Sequence, residues 1–159
     1  MAEFIIRPAT PDDRGALGEL GALLMRAHYR LDPQRFLAPG HNPAEGYGRF
    51  LISQLGADDA AVLVADRAGQ VIGYVYATVE GRSWRELRDA CGFIDDVVVR
   101  EDERRSGVAT ALLDAAFEWL RARGVPRVIL WSADQNETAQ RVFARLGFRR
   151  TMIEMTREL

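Results

Sequence analysis

The chain has 159 residues, 48% of them hydrophobic and 28% charged, with a formal net charge of -2. That length suits one domain with a sizeable core, and the near-neutral balance excludes the basic footprint of a nucleic-acid binder. The single cysteine, Cys91, excludes an internal disulfide and matches a reducing compartment.

The N-terminal stretch MAEFIIRPAT has no basic segment followed by a long apolar core. No apolar run approaches the ~20 residues that a membrane span needs. The expectation is a cytoplasmic protein with no membrane or nucleic-acid partner.

Residues 3–7 read as a first strand. Thr10 then serves as a helix N-cap, with Pro11 at the first helical position and acids in the first turn. Leu17, Leu20, Leu23 and Leu24 carry that helix towards His28. Three prolines make 30–43 a loop, and a second helix is expected over 44–55. Residues 60–66 and 71–80 form a hairpin around the turn RAGQ. A polar connection, 81–90, leads to a strand over 91–100 that is rich in β-branched residues.

The strongest helix signal runs from Gly107 to about Arg123. Val108, Leu112, Ala116 and Trp119 make one apolar row, widened by Leu113, Phe117 and Leu120. Gly124 is the natural C-cap, with Pro126 just beyond. A buried strand over 127–133, a helix over 136–146 closed by Gly147, and a last strand over 148–159 complete the order. Trp119 and Trp131 are read as core residues. A strand–helix–strand unit spanning 91–133 implies a parallel pair within a mixed sheet.

The stretch before the long helix carries the chemistry. Arg104, Arg105, Ser106, Gly107, Val108, Ala109 and Thr110 place two cations and a glycine at a helix start. The first N–H groups of a helix lack intrahelical acceptors, and the helix dipole adds partial positive charge there. A pyrophosphate at that end would take several backbone hydrogen bonds, with charge-assisted bonds from the arginines. The P-loop pattern does not fit, because no lysine follows the glycine, and a dinucleotide fingerprint would need three glycines. Glu101, Asp102 and Glu103 are read as a solvated turn.

The arrangement Arg104-x-x-Gly107-x-Ala109 after an apolar strand, followed by Asn136, Ala139, Phe143, Gly147 and Phe148 at their spacing, resembles the GNAT superfamily of acyl-CoA-dependent N-acetyltransferases. The likeness covers about residues 60–150 by motif and the first 55 by element order. It implies a single α/β domain over residues 1–159, with a mixed, mostly antiparallel sheet of six to seven strands and about four helices on its faces. It implies acetyl-CoA as co-substrate, with no metal. The pyrophosphate would be held at 104–110, the pantetheine arm by backbone groups of Val97, Val98 and Val99, and Asn136 and Phe143 would contribute from the second motif. The acceptor would be a small-molecule or peptide amine, and a homodimer is compatible with the superfamily.

Many members carry tyrosine where this chain has Phe143, and that hydroxyl can protonate the departing thiolate. Phenylalanine cannot, so Phe143 is read as packing against cofactor and core. A non-catalytic acyl-CoA-binding or regulatory domain is the competing reading, supported by this one residue. For the proton of the attacking amine, FIDDVVV offers Asp95 and Asp96. Alternation along a strand predicts opposite faces for the two, and the family match makes Asp95 the first choice as base and Asp96 the second. Tyr47 and Trp84 are placed near the substrate side, and region 30–55 with 80–90 is expected to shape the acceptor site. His28 and His41 show no second-ligand pattern for a metal, and Cys91 reads as a small buried thiol.

Overall fold

A computed structural model describes residues 3–159. Met1 and Ala2, which belong to the N-terminal stretch read above, lie outside the described residues. Five strands form one sheet in the order β1 (Ile5–Pro8), β2 (Ala60–Arg67), β3 (Gln70–Glu80), β4 (Cys91–Val99) and β5 (Val128–Leu130). The first three pairings are antiparallel and β4–β5 is parallel. The helices are α1 (Arg14–Leu31), α2 (Pro43–Ser53), α3 (Val108–Arg121) and α4 (Glu137–Arg145). Among the described residues no helix is long and apolar enough to cross a membrane.

Local chemistry explains most of these boundaries. Pro11 opens a short 3-10 turn, Pro11–Asp13, that feeds α1. The Asp13 carboxylate accepts the Thr10 N–H at 2.8 Å. Arg7 ties Asp13 to Asp66 of β2 with bonds of 2.8–2.9 Å, and its guanidinium holds Asp13 below the usual carboxylate range. At α2 the Asn42 side chain accepts from Glu45 N–H, and Pro43 fills the first helical position.

The sheet buries a different core on each face. Val75, Ala77 and Ile94 meet Val108, Leu112, Leu113, Ala116 and Leu120 of α3, and Phe143 of α4 and Leu146, its C-cap, flank this core. On the other face Val62, Val64, Tyr74, Tyr76 and Val98 pack under Leu17 and Leu20 of α1 and Leu51 of α2. The apolar row expected for α3 is thus the buried one, except that Trp119 sits at its edge with the Arg123 guanidinium stacked 3.7 Å above its ring. Leu112 has no exposed surface. Leu112→Ala is expected to destabilise the fold by ~2–5 kcal/mol, as lost transfer energy plus a cavity, read from the shift of a urea unfolding midpoint.

Among the described residues the sheet has five strands, not the six to seven expected. The missing element is the strand foreseen over 148–159, which runs as irregular, exposed chain. Its alternation sets Met152, Glu154 and Thr156 against Ile153 and Met155, so apolar groups fall on both faces and neither is selected for burial. Met152, Ile153 and Met155 are 69–85% exposed. The neighbouring β5 is only three residues long and offers little edge to extend. What anchors this segment is local: Phe148 packs on Phe143 and Phe117, and Glu154 pairs with Arg35.

Candidate active site

β4 and β5 are paired over Gly92–Ile94 and Val128–Leu130, and then part. A cavity of about 530 Å³ opens where they separate, between the ends of α1 and α2 on one side and α4 on the other. Asp95, Asp96 and Val97 line it from β4, Trp131 and Ser132 from the chain after β5, and Asn136, Ala139 and Phe143 from α4. Leu24, Met25, His28, Phe36, Leu37 and Tyr47 supply the helical and loop wall. Among the described residues, the edge of β4 from Asp95 to Val99 that faces away from β3 has no strand beside it.

The two carboxylates share a face of the sheet, against the expectation of opposite faces. The pairing runs Tyr76 to Asp96 and then Ala77 to Ile94, which leaves Asp95 as the extra residue of a β-bulge. The bulge interrupts the alternation. Asp95 accepts the Thr78 hydroxyl at 2.8 Å and Asp96 accepts that of Tyr74 at 2.9 Å, and both partners project from the same face of β3.

Their surroundings still differ. One oxygen of Asp96 takes two phenol hydrogen bonds, from Tyr47 at 2.6 Å and Tyr74 at 2.9 Å. Burial raises the Asp96 pKa, and the two phenols oppose that rise. Both phenols are themselves raised, by burial first and then by the Asp96 charge. Asp95 keeps a face open to solvent. Desolvation by the cleft walls pushes it up to about 6, with the charges of Asp96 and Glu80 adding to the shift and the Thr78 bond opposing it. Asp95 thus titrates close to neutrality, the range in which a proton acceptor works well.

Tyr47 reaches Asp96 because α1 and α2 nearly touch. A Cβ added at Gly21 would lie 2.2 Å from the Tyr47 ring, so a side chain there would push the ring away. This contact was not legible as a motif, since Gly21, Tyr47, Tyr74 and Asp96 lie far apart in sequence. Tyr47 itself lines the cavity from α2. Trp84 does not line the cavity, and is 82% exposed. Trp131, expected in the core, is 70% exposed; it stands edge-on to Phe93 at the cavity rim. Cys91 is fully buried, and burial pushes its thiol up.

Beyond the end of β4 the chain turns through a 3-10 segment, Glu101–Glu103, into α3. Gly107 is the N-cap of α3 and has φ 86°, a conformation that glycine adopts without strain. Arg105 just before it also has a positive φ, 61°. The first main-chain bond of the helix runs from Ala111 N–H to Gly107 O at 3.0 Å, so the N–H groups preceding it have no helical acceptor. Arg104 and Arg105 are exposed, and among the described residues neither is paired with a carboxylate. Ser106 caps back onto Glu103 O, Val108 is buried against β3, and Ala109 and Thr110 follow in the first turn. An anion fits this end: free donors, unpaired cations, and open space around Gly107.

The sequence-derived residues therefore fall in two groups on one strand and its exit. Asp95, Asp96, Val97, Asn136 and Phe143 converge on the cavity, whereas Arg104 through Thr110 form the α3 N-terminus outside its lining. Val98 and Val99 lie between them, Val98 with its side chain in the core. Asn136 uses its side-chain oxygen to cap α4 through Ala139 N–H at 3.3 Å. Among the described residues no group of three or more His, Cys, Asp or Glu is arranged to hold a metal ion.

Residues 21–148 match the family model of the Acetyltransferase (GNAT) family. An uncharacterized N-acetyltransferase of Methanocaldococcus jannaschii is 28% identical over 145 residues, covering 91% of this chain and 60% of its own. A mycothiol acetyltransferase of Thermobispora bispora is 32% identical over 99 residues, covering 62% of this chain and 33% of its own. The chain thus spans between a third and three fifths of the length of these curated relatives. In fold it is similar to a mutant protein from Bacillus halodurans, with a TM-score of 0.83 at 22% identity over 98% of this chain and 99% of that one. Aminoglycoside N-acetyltransferase AAC(6')-Iy in complex with CoA superposes with a TM-score of 0.75 at 21% identity, covering 100% of this chain and 96% of that one. With the family model matching most of its length, this chain belongs to the Acetyltransferase (GNAT) family.

Proposed function

We propose that the protein transfers the acetyl group of acetyl-CoA to a primary amine, with Asp95 as the base. The observation that carries this reading is the bulge at Asp95, which sets a carboxylate of pKa about 6 on the wall of the cleft where β4 and β5 part. Acetyl-CoA supplies an activated acetyl thioester. The α3 N-terminus with Arg104 and Arg105 would hold its pyrophosphate, and the open edge of β4 at Val97, Val98 and Val99 would hold the pantetheine amides. Asn136 and Phe143 would close the α4 side. Backbone N–H groups of the same strand are suited to polarising a thioester carbonyl, and holding both reactants in the cleft supplies rate through proximity.

An alkyl amine has a pKa near ~10 and must lose a proton to attack. Asp95 is placed to take it, directly or through one water, and to pass it to solvent along its open face. Asp96, held by Tyr47 and Tyr74, positions the cleft wall and adds negative charge that attracts an ammonium group. Leu24, Met25, Phe36 and Leu37 suit an acceptor whose amine is carried on an apolar body. Glycosylamines, amino acids and peptides with such a group all meet that description.

The test is release of CoA thiol from acetyl-CoA against a panel of primary amines. Amine-dependent release is the expected result. Phe143, which brings no hydroxyl to the cleft, favours a second reading, a domain that binds acyl-CoA without catalysis. Tight binding of acetyl-CoA with no release from any acceptor would establish that reading instead.

A further inference from the structure

Ser132 lies two residues beyond β5, on the cavity wall that faces Asp95 and Asp96. Ile94 and Leu130 are the last paired residues of the two strands, so the carboxylates and Ser132 follow immediately on opposite banks of the cleft. The Ser132 Oγ is buried and has no hydrogen-bond partner among the described residues. Buried hydroxyls are as a rule hydrogen-bonded, and such an exception points to a partner that arrives from outside the chain. The other buried unpartnered side-chain atom among the described residues is Arg67 Nε, which does not line the cavity.

Among the remaining polar groups of the cavity, Asn136 spends its side-chain oxygen on the α4 cap and keeps its amide N–H groups, and the others are bonded elsewhere or wrongly charged for a developing anion. The Tyr47 hydroxyl donates to Asp96. Arg35 is paired with Glu154, and His28 Nδ1 is bonded to Leu24 O at 3.0 Å. Asp95 and Asp96 repel negative charge. Phe143 presents a ring and no donor. Of the two hydroxyls that line the cavity, Ser132 alone is free.

We propose that Ser132 donates a hydrogen bond to the sulfur of CoA and stabilises the negative charge gathering there as the acetyl group leaves. This rests on the acetyl-CoA reading above. In the transfer the nitrogen–carbon bond forms, the carbon–sulfur bond breaks, and its electron pair goes to sulfur. The primary ammonium gives up one proton before attack and a second as the amide forms, each passing through Asp95 to solvent, and the departed thiolate takes its proton from solvent. Ser132 keeps its own proton, because an aliphatic hydroxyl is a far weaker acid than any alkyl thiol. The base and the sulfur-stabilising donor thus stand on opposite walls, matching the directions in which the amine arrives and the thiolate departs. The Ser132 Oγ is sealed from the cavity as it stands, so the proposed bond requires rotation about the serine χ1 to another staggered position that turns the hydroxyl towards the sulfur.

The experiment compares CoA with desulfo-CoA by titration calorimetry at about pH 10, more than a unit above the ordinary cysteine thiol value, where a large share of the CoA thiol is ionised. Ser132→Ala is expected to weaken CoA about tenfold, the usual size for a hydrogen bond to a charged group, and to leave desulfo-CoA binding unchanged. Ser132→Thr, which keeps the hydroxyl, is expected to retain CoA affinity. Turnover by Ser132→Ala falls by a similar factor in kcat with KM for the amine unchanged. Its melting temperature is not lowered, because the group removed had no partner in the free protein. Equal weakening of CoA and desulfo-CoA, or no weakening of either, overturns the proposal while leaving the acetyl-CoA reading intact. Wild-type protein that binds neither ligand overturns both.

Discussion

Replacing Gly107 with glutamate is expected to weaken acetyl-CoA binding by about 30-fold, read as a rise in Kd by titration calorimetry. The residue stands at the α3 N-terminus with φ 86°, and nothing lies within 4 Å of a Cβ built there. Glutamate thus brings a carboxylate into the space reserved for the pyrophosphate without colliding with the protein. A like charge at ~7 Å in an effective dielectric of ~20 opposes binding by ~2 kcal/mol, which is the 30-fold. Any side chain at this φ also strains the folded backbone by ~1 kcal/mol, so Gly107→Ala is the control. Alanine carries the same strain and no charge, and it should change Kd by only about twofold to fivefold. A folded Gly107→Glu variant that binds acetyl-CoA as the wild type does would remove the pyrophosphate from this helix end.

The same helix shows why some of the molecule is legible in sequence. Its apolar row repeats at helical spacing, its N-cap is a glycine shortly after two arginines, and Gly124, expected as its C-cap, turns the chain at φ 72° two residues beyond the actual cap, Ala122. Each of these signals is local, so the helix and its candidate anion site can be read from one stretch, residues 104–124. The Asp95–Asp96 pair was legible as a pair but not in its geometry. Alternation sends neighbours to opposite faces, and the bulge that cancels it arises from how β4 registers against β3, with no mark in the DD dipeptide itself. Tyr47 and Tyr74 converge on Asp96 from residues 49 and 22 positions away. That meeting depends on the close approach of α1 and α2 at Gly21, a contact between segments that no spacing rule connects. Trp131 illustrates the opposite error: a large aromatic beside a buried strand suggests core, yet the parting of β4 and β5 leaves it at the rim of the cavity. The terminal alternation of 148–159 matched a strand by pattern, but a strand also needs an edge to pair with and one face to bury.

Asp95→Asn is expected to lower kcat by ~10²–10⁴-fold, the usual loss for a general base, while making the fold slightly more stable. The wild-type rate should rise with pH through an apparent pKa near 6, the value to which the cleft pushes Asp95. In the variant that limb disappears, and the deficit narrows towards ~pH 10, where the amine is already neutral without help. The stability change follows from the same titration. Below ~pH 4 the carboxyl is protonated in both folded and unfolded chains and contributes nothing. Between there and pH 6 the folded chain holds a proton that the unfolded chain has released, so stability falls as pH rises. Above pH 6 the full penalty of an ionised Asp95 is present. Because the side chain keeps a solvent-facing side, screening reduces that penalty to ~1 kcal/mol. Asparagine carries no charge and escapes it, so the variant should melt ~2–4 °C higher at pH 7.5 and no higher at pH 4. An acid kept for structure would give the reverse, a less stable variant with an unaltered pH–rate profile, and that pair of results would move the base away from Asp95. The combination expected here, more stable and less active, marks a carboxylate that the fold holds at its own expense for chemistry in the cleft.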